Sequence, residues 1–218
     1  MKYFVSIVLA LALASCASPV PPASMVPPAS LRQELVLGSL LVQNVKLGDV
    51  SVAEGINGDK WDLTGKSLAS NGMIINADNF RQALQSSMTD AKMLSPENGT
   101  EEYILDANLI SVIRQEKPYK LFDVSASMES TSHYQLRRAS DRSIVYESTL
   151  KAAFTANTSH LNGTYLITSI GSELTQIASL NAIRGNIFLV LRELSSITKV
   201  SHSTESPRNI GMARWRPV

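Results

Sequence analysis

From Phe122 to Leu136, apolar and polar residues alternate almost without a break. Phe122, Val124, Ala126, Met128, Tyr134 and Leu136 fall on one side. Asp123, Ser125, Ser127, Glu129, Thr131, His133, Gln135 and Arg137 fall on the other. A period of two, with one apolar and one wet face, predicts a strand of an antiparallel sheet. Arg137 to Arg142 reads as a turn. Ile144, Tyr146, Leu150, Ala152 and Phe154 then resume the alternation, so the two strands are expected to form a long hairpin. Tyr103 to Ile113 predicts a further strand, with Tyr103, Leu105, Ala107 and Leu109 set against Asp106 and Asn108. The short apolar run Glu34 to Val42 reads as a buried strand. Residues 43–77 are rich in Gly, Asn, Asp and Ser and read as a long, turn-filled connection.

Helical spacing appears in two places. Phe80, Ala83, Leu84, Met88, Ala91 and Leu94 sit at the intervals of one buried helix face, predicting a helix over 78–94. Asn76 or Asp78 can cap its start, and Ser95-Pro96 ends it. Leu174, Ile177, Leu180, Ile183, Ile187, Val190, Leu191, Leu194 and Ile197 define a second helical region over 171–197. The order of elements is β-α-β-β-β-α. It predicts an α+β fold: a small, mostly antiparallel sheet with two helices packed on one face.

The N-terminal residues carry a different message. Met1-Lys2 is a positive start, and Phe4 to Leu13 is almost wholly apolar. That run is too short to cross a bilayer core of roughly 30 Å, and it has the length of a signal-peptide apolar region. It ends in Leu13-Ala14-Ser15-Cys16, which resembles a bacterial lipobox. The resemblance implies cleavage between Ser15 and Cys16. It also implies a diacylglycerol on the Cys16 thiol, an N-acyl chain on the new amine, and hence a membrane anchor. Cys16 is the only cysteine of the chain, which excludes an intramolecular disulfide framework and a cysteine zinc cluster. Ala17 stands where an Asp commonly marks inner-membrane retention. By the same resemblance, the chain is expected on the periplasmic face of the outer membrane.

Five of the nine prolines fall within residues 17–30, where VPPAS occurs twice, at 20–24 and 26–30. Proline fixes φ and donates no backbone hydrogen bond, so residues 17–30 are expected to form an extended tether reaching roughly 40 Å. The organisation read from the sequence is therefore a signal peptide over 1–15, a lipidated tether over 16–30, one domain over 31–197 and a polar, basic tail, expected to be disordered, over 198–218.

Composition narrows the function. Hydrophobic residues make up 44% and charged residues 18%, an ordinary globular balance. The formal net charge of +1 argues against nucleic acid as a partner. Removing Lys2 with the leader leaves 19 basic and 19 acidic residues, so the acyl chains rather than charge would hold the membrane.

The ordered motifs resemble those of an uncharacterised family of proteobacterial outer-membrane lipoproteins. They are Leu37-Gly38, Asn79-Phe80-Arg81-Gln82-Ala83-Leu84, Tyr103-Ile104-Leu105-Asp106-Ala107-Asn108-Leu109 and Ala182-Ile183-Arg184-Gly185-Asn186-Ile187. The element order is also similar to that of the penicillin-binding-protein activator lipoproteins, the N-terminal part of the curli secretion lipoprotein and the YajG-like lipoproteins. These resemblances imply an envelope protein and carry no catalytic residues.

Candidate chemistry is sparse. Gly65-Lys66-Ser67 lacks the glycine at position 60 that a phosphate loop needs. Asn57, Asp59 and Asp62 lack the glycine and closing glutamate of a calcium loop. His133, His160 and His202 are scattered, and neither an HExxH nor a GxSxG motif occurs, so no metal or catalytic site is expected. Asp106 and Asp123 read as wet-face carboxylates. Arg137, Arg138 and Arg142 make the hairpin tip basic. Together with Trp215 in the tail they are the candidate partner contacts, against the plainer reading of a solvated turn and a loose tail.

The expected function is a non-enzymatic, lipid-anchored binding or scaffold module with an envelope protein partner, its oligomeric state left open and no cofactor beyond the acyl chains. An auxiliary role in lipid or lipopolysaccharide transport and an envelope hydrolase are the alternatives.

Overall fold

A computed structural model describes residues 18–33, 35, 41–53, 73–96, 101–115, 124–161, 167–197 and 213–214. Strand β1 (Ser18–Pro19) is followed by a 3-10 turn (Pro22–Met25) and helix α1 (Ala29–Gln33). Then come β2 (Val45–Val52), β3 (Met73–Ile74), α2 (Ala77–Asp90), β4 (Tyr103–Arg114), β5 (Ser125–Arg138) and β6 (Ile144–Asn157). A 3-10 turn (Thr158–His160), α3 (Ile167–Ser195) and β7 (Ala213–Arg214) complete the order.

The main sheet has the strand order β2-β4-β5-β6-β7, and β1 pairs with β3 in a separate two-stranded ladder. The two long ladders, β4–β5 and β5–β6, are antiparallel. The pairs β2–β4 and β6–β7 are parallel. The expected α+β class and the β-α-β-β-β-α order both hold, with β2, α2, β4, β5, β6 and α3 as the six elements.

The alternation in the hairpin decides which face is buried. Met128, Tyr134 and Leu136 of β5 join Leu105 and Leu109 of β4 and Leu150 and Phe154 of β6 in one core. Phe80, Leu84 and Met88 of α2 and Leu174, Ile183, Ile187 and Leu191 of α3 close the same core, so both helices cover one face of the sheet. Each fully buried side chain of this kind contributes roughly 1.5–3 kcal/mol. Asn76 caps α2, its side chain accepting from the Asn79 N–H at 2.7 Å. Helix α3 is long and apolar enough to cross a membrane, but 72% of its most apolar window is buried inside the fold, as in the core helix of a globular protein.

One polar junction crosses this core. The Asn186 amide of α3 donates to the carbonyls of Ser130, at 3.1 Å, and Leu150, at 2.9 Å. Its oxygen accepts from the Tyr134 hydroxyl at 2.9 Å. Ser130 Oγ donates to the Ala182 carbonyl at 2.7 Å. Burial pushes the Tyr134 phenol far above its ordinary value. Lower down the helix, Tyr146 donates to Glu193 at 2.6 Å.

Three expectations need correction. The first strand is β2, inside the stretch read as turn-filled. Most of the expected strand at 34–42 lies outside the described residues, and Leu41 and Val42 form a bend and turn. The alternation of β2 is hidden by a bulge: Leu47 pairs with Leu105 but Val50 with Ala107, so the apolar phase slips by one residue. Second, the proline-rich stretch is not free chain from Ser18 onward. Each VPPAS repeat launches a helical turn, with Ser24 N donating to Pro21 O at 3.0 Å and Leu31 N to Pro28 O at 3.1 Å. Proline is tolerated at a first helical turn, where no partner awaits its missing N–H. The turns carry Val20, Met25 and Leu31 to buried positions. Third, Ala213 and Arg214 add a strand to β6, so the tail is anchored at those residues.

Candidate functional site

The sheet face opposite α2 and α3 holds the polar half of each alternating strand. The register places Ile104 beside Arg137, Asp106 beside Gln135, Asn108 beside His133 and Ile113 beside Glu129. On the other flank of β5, Glu129 lies beside Ala153, His133 beside Thr149 and Gln135 beside Glu147.

Charges on this face are matched across strands. Arg137 grips Asp106 through Nη2 at 2.6 Å and Nε at 2.7 Å. The other Asp106 oxygen accepts from the Asp49 N–H at 2.8 Å, in the β2 bulge. Gly48 sits against this carboxylate: a Cβ there would strike Asp106 Oδ1 and lie 2.5 Å from Ile104 Cγ2. From the helix side, Arg81 donates to the Gly48 carbonyl at 2.8 Å. The bulge is thereby fixed from both faces of the sheet. Glu129 is nearly buried and accepts from Gln115 at 2.7 Å, with Lys151 at 3.5 Å. His133 meets Thr149 at 3.1 Å and Glu147 at 3.3 Å. Ser127 and Thr155 share a hydrogen bond of 3.0 Å.

These pairs position one another; each carboxylate named here already has a cation or an N–H partner. Chemically, the face can present a patterned surface of donors and acceptors to another molecule.

The three candidate arginines have separate fates. Arg137 is committed to Asp106. Arg138 faces Asp141 at 3.7 Å across the turn. Asp141 in turn accepts from the Ser143 hydroxyl, at 2.7 Å, and its N–H, at 2.9 Å. Those bonds, with Arg138 nearby, hold the Asp141 carboxyl below its usual range. Arg142 is exposed and takes a left-handed φ of 60° at the turn. His160 caps the β6 end, exchanging contacts with Asn157 and meeting the Phe154 ring edge-on at 5.5 Å. Ser15, Cys16, Asn57, Asp59, Asp62, Gly65 to Ser67, Asp123, His202 and Trp215 lie outside the described residues.

Sequence reasoning passed over the Gly48–Asp106–Arg137 junction and the Asn186–Tyr134 junction. The alternation marked Asp106 and Arg137 as wet-face residues. Only the register, which neighbouring strands settle between them, brings the two together.

No family model matches the chain. No curated protein sequence matches it. Among solved structures it is similar to a Xanthomonas campestris protein of family DUF330, with a TM-score of 0.44, 13% identity, and coverage of 76% of this chain and 90% of that one. It is also similar to a minor lipoprotein from Acinetobacter baumannii, with a TM-score of 0.39, 17% identity, and coverage of 72% and 95%. At these scores neither likeness bears on what the chain does.

Proposed function

We propose that this chain is a lipid-anchored lipoprotein on the periplasmic face of the outer membrane, whose α+β domain is a non-enzymatic binding or scaffold module for envelope machinery. The observation that carries this reading is Leu13-Ala14-Ser15-Cys16, the sole cysteine of the chain directly after a short apolar leader. The acyl chains fix location, since each buried methylene contributes about 0.8 kcal/mol, and the domain surface docks a partner. The auxiliary transport reading would need an apolar cleft between helix and sheet. In the described part of that interface, Met128, Tyr134, Leu105 and Ile187 are buried in one apolar core, which supports docking at the surface.

The test is in-cell crosslinking and recovery from membranes, with Cys16→Ser as the unanchored control. One recurrent envelope protein, lost or weakened in the control, supports an anchored adaptor. Co-purifying lipid with no protein partner would reject it for the transport reading. A Cys16→Ser protein that stays in the membrane fraction would reject the anchor itself.

A further inference from the structure

The fold has two distinct ends. Residues 43–45, at the start of β2, bond to Lys92 and Met93, just past the end of α2. The start of α2 therefore lies at the other end, where β2 finishes. Because β4 is parallel to β2, it runs on past that level in the same direction, from Leu109 opposite Val52 to Arg114, and the antiparallel β5 begins beside its far tip. The chain's N-terminal segment joins the same end: the Val20 carbonyl accepts from Asn79, in the first turn of α2, at 2.6 Å. Ser18 and Pro19 pair with Met73 and Ile74, just before that helix.

Cys16 is two residues from Ser18, so it lies within about 7 Å of it. Among the described residues, three large apolar side chains are exposed at this end of the sheet, on β4 and just before β5. Ile110, the extra residue of a bulge in β4, is 40% exposed; Ile113 is 45% and Val124 49%. Arg114, exposed beside them, has the stem and charge to cover apolar surface while its guanidinium reaches a headgroup. Val42 and Ile144 are also exposed, at 39% and 54%, but they lie at the far end. The fourteen residues of β5 put that end about 45 Å away. A single bilayer surface cannot serve both ends, and the acyl chains are tied to the first.

We infer that the end of the sheet carrying Ile110, Ile113, Arg114 and Val124 rests on the lipid surface that holds the Cys16 acyl chains, with the β5–β6 turn pointing away. This rests on the anchoring reading above. It adds an orientation and a lipid contact made by the domain itself.

The test uses the full acylated chain, purified from membranes and reconstituted into vesicles of phosphatidylethanolamine and phosphatidylglycerol. Acylation blocks the Cys16 thiol, so an introduced cysteine is the residue that takes a fluorophore. Ile113→Cys and Ile144→Cys are labelled in turn, in vesicles doped with nitroxide lipid. Ile113→Cys is expected to be quenched and blue-shifted, and Ile144→Cys to be unaffected. Equal quenching at the two positions, stronger quenching at Ile144→Cys, or none at either overturns the orientation. Flotation with the vesicles is read first. Protein that does not float refutes the anchor, an outcome separate from a floating protein with an unquenched probe. Val124→Cys replaces Ile113→Cys if that variant fails to fold.

Discussion

Replacing Asn186 with leucine tests whether one amide holds α3 to the sheet. The change keeps the volume and removes three hydrogen bonds, to the Ser130 and Leu150 carbonyls and from the Tyr134 hydroxyl. Each such bond contributes about 1 kcal/mol net, and a buried hydroxyl left without an acceptor costs about 1–3 kcal/mol more. The carbonyls suffer less, because each keeps a second lone pair. Asn186→Leu is therefore expected to lower stability by about 3–5 kcal/mol, a large share of the 5–15 kcal/mol typical of a domain. Tyr134→Phe removes the orphaned hydroxyl, so the double variant should be less destabilised than the sum of the two by about 1–2 kcal/mol. The assay is urea unfolding of residues 16–218 carrying Cys16→Ser, read by linear extrapolation. A loss below about 1 kcal/mol, or additivity within about 0.5 kcal/mol, would refute the reasoning.

Met25→Ala should cost about 2–5 kcal/mol, because Met25 is fully buried; a thermal melt unchanged from wild type would mean that the proline-rich segment is free chain after all. Gly48→Ala should lower the melting temperature by forcing the Asp106 carboxylate away from Arg137 and the Asp49 N–H. Its effect should overlap with that of Asp106→Ala, and full additivity would deny the shared junction. Alkaline pH should destabilise the fold. Burial raises the Tyr134 phenol; burial, and then the Glu193 hydrogen bond, raise that of Tyr146. Both hold their protons more tightly when folded, so their contribution is complete below the ordinary phenol value of about 10 and is lost as pH climbs toward the raised folded values. Urea midpoints, followed alongside tyrosinate absorbance, should fall above that pH, and Tyr146→Phe should flatten the slope.

The strands and helices that carry long, uninterrupted periods were legible from the residues alone: β4, β5, β6, α2 and α3 all occur where alternation or helical spacing predicts them. What escaped is local in one sense and remote in another. β2 hid because the Gly48-Asp49 bulge shifts Val50 and Val52 out of phase with Val45 and Leu47, so no single period fits. The Gly48–Asp106–Arg137 junction hid because its members come from three strands, and only pairing reveals that they touch. Asn186 looked like one polar residue in an apolar helix. Its meaning depends on Tyr134, which sits 52 positions away.

The proline-rich segment shows why composition misled where periodicity did not. Proline-proline pairs favour extended chain when nothing else competes. Here each pair is followed by Ala-Ser and flanked by apolar residues, and a helical first turn accepts proline without penalty. Burying Val20, Met25 and Leu31 supplies a driving force that a free tether lacks. The consequence reaches function through geometry. An extended segment of fourteen residues would let the domain sweep roughly 40 Å from the membrane. With Ser18 already paired to Met73, only Ala17 would separate a lipidated Cys16 from folded structure. On the proposed anchoring, a partner would meet the domain at the lipid surface, where restricted reach raises its effective concentration for anything tethered alongside and excludes whatever lies beyond the height of the domain.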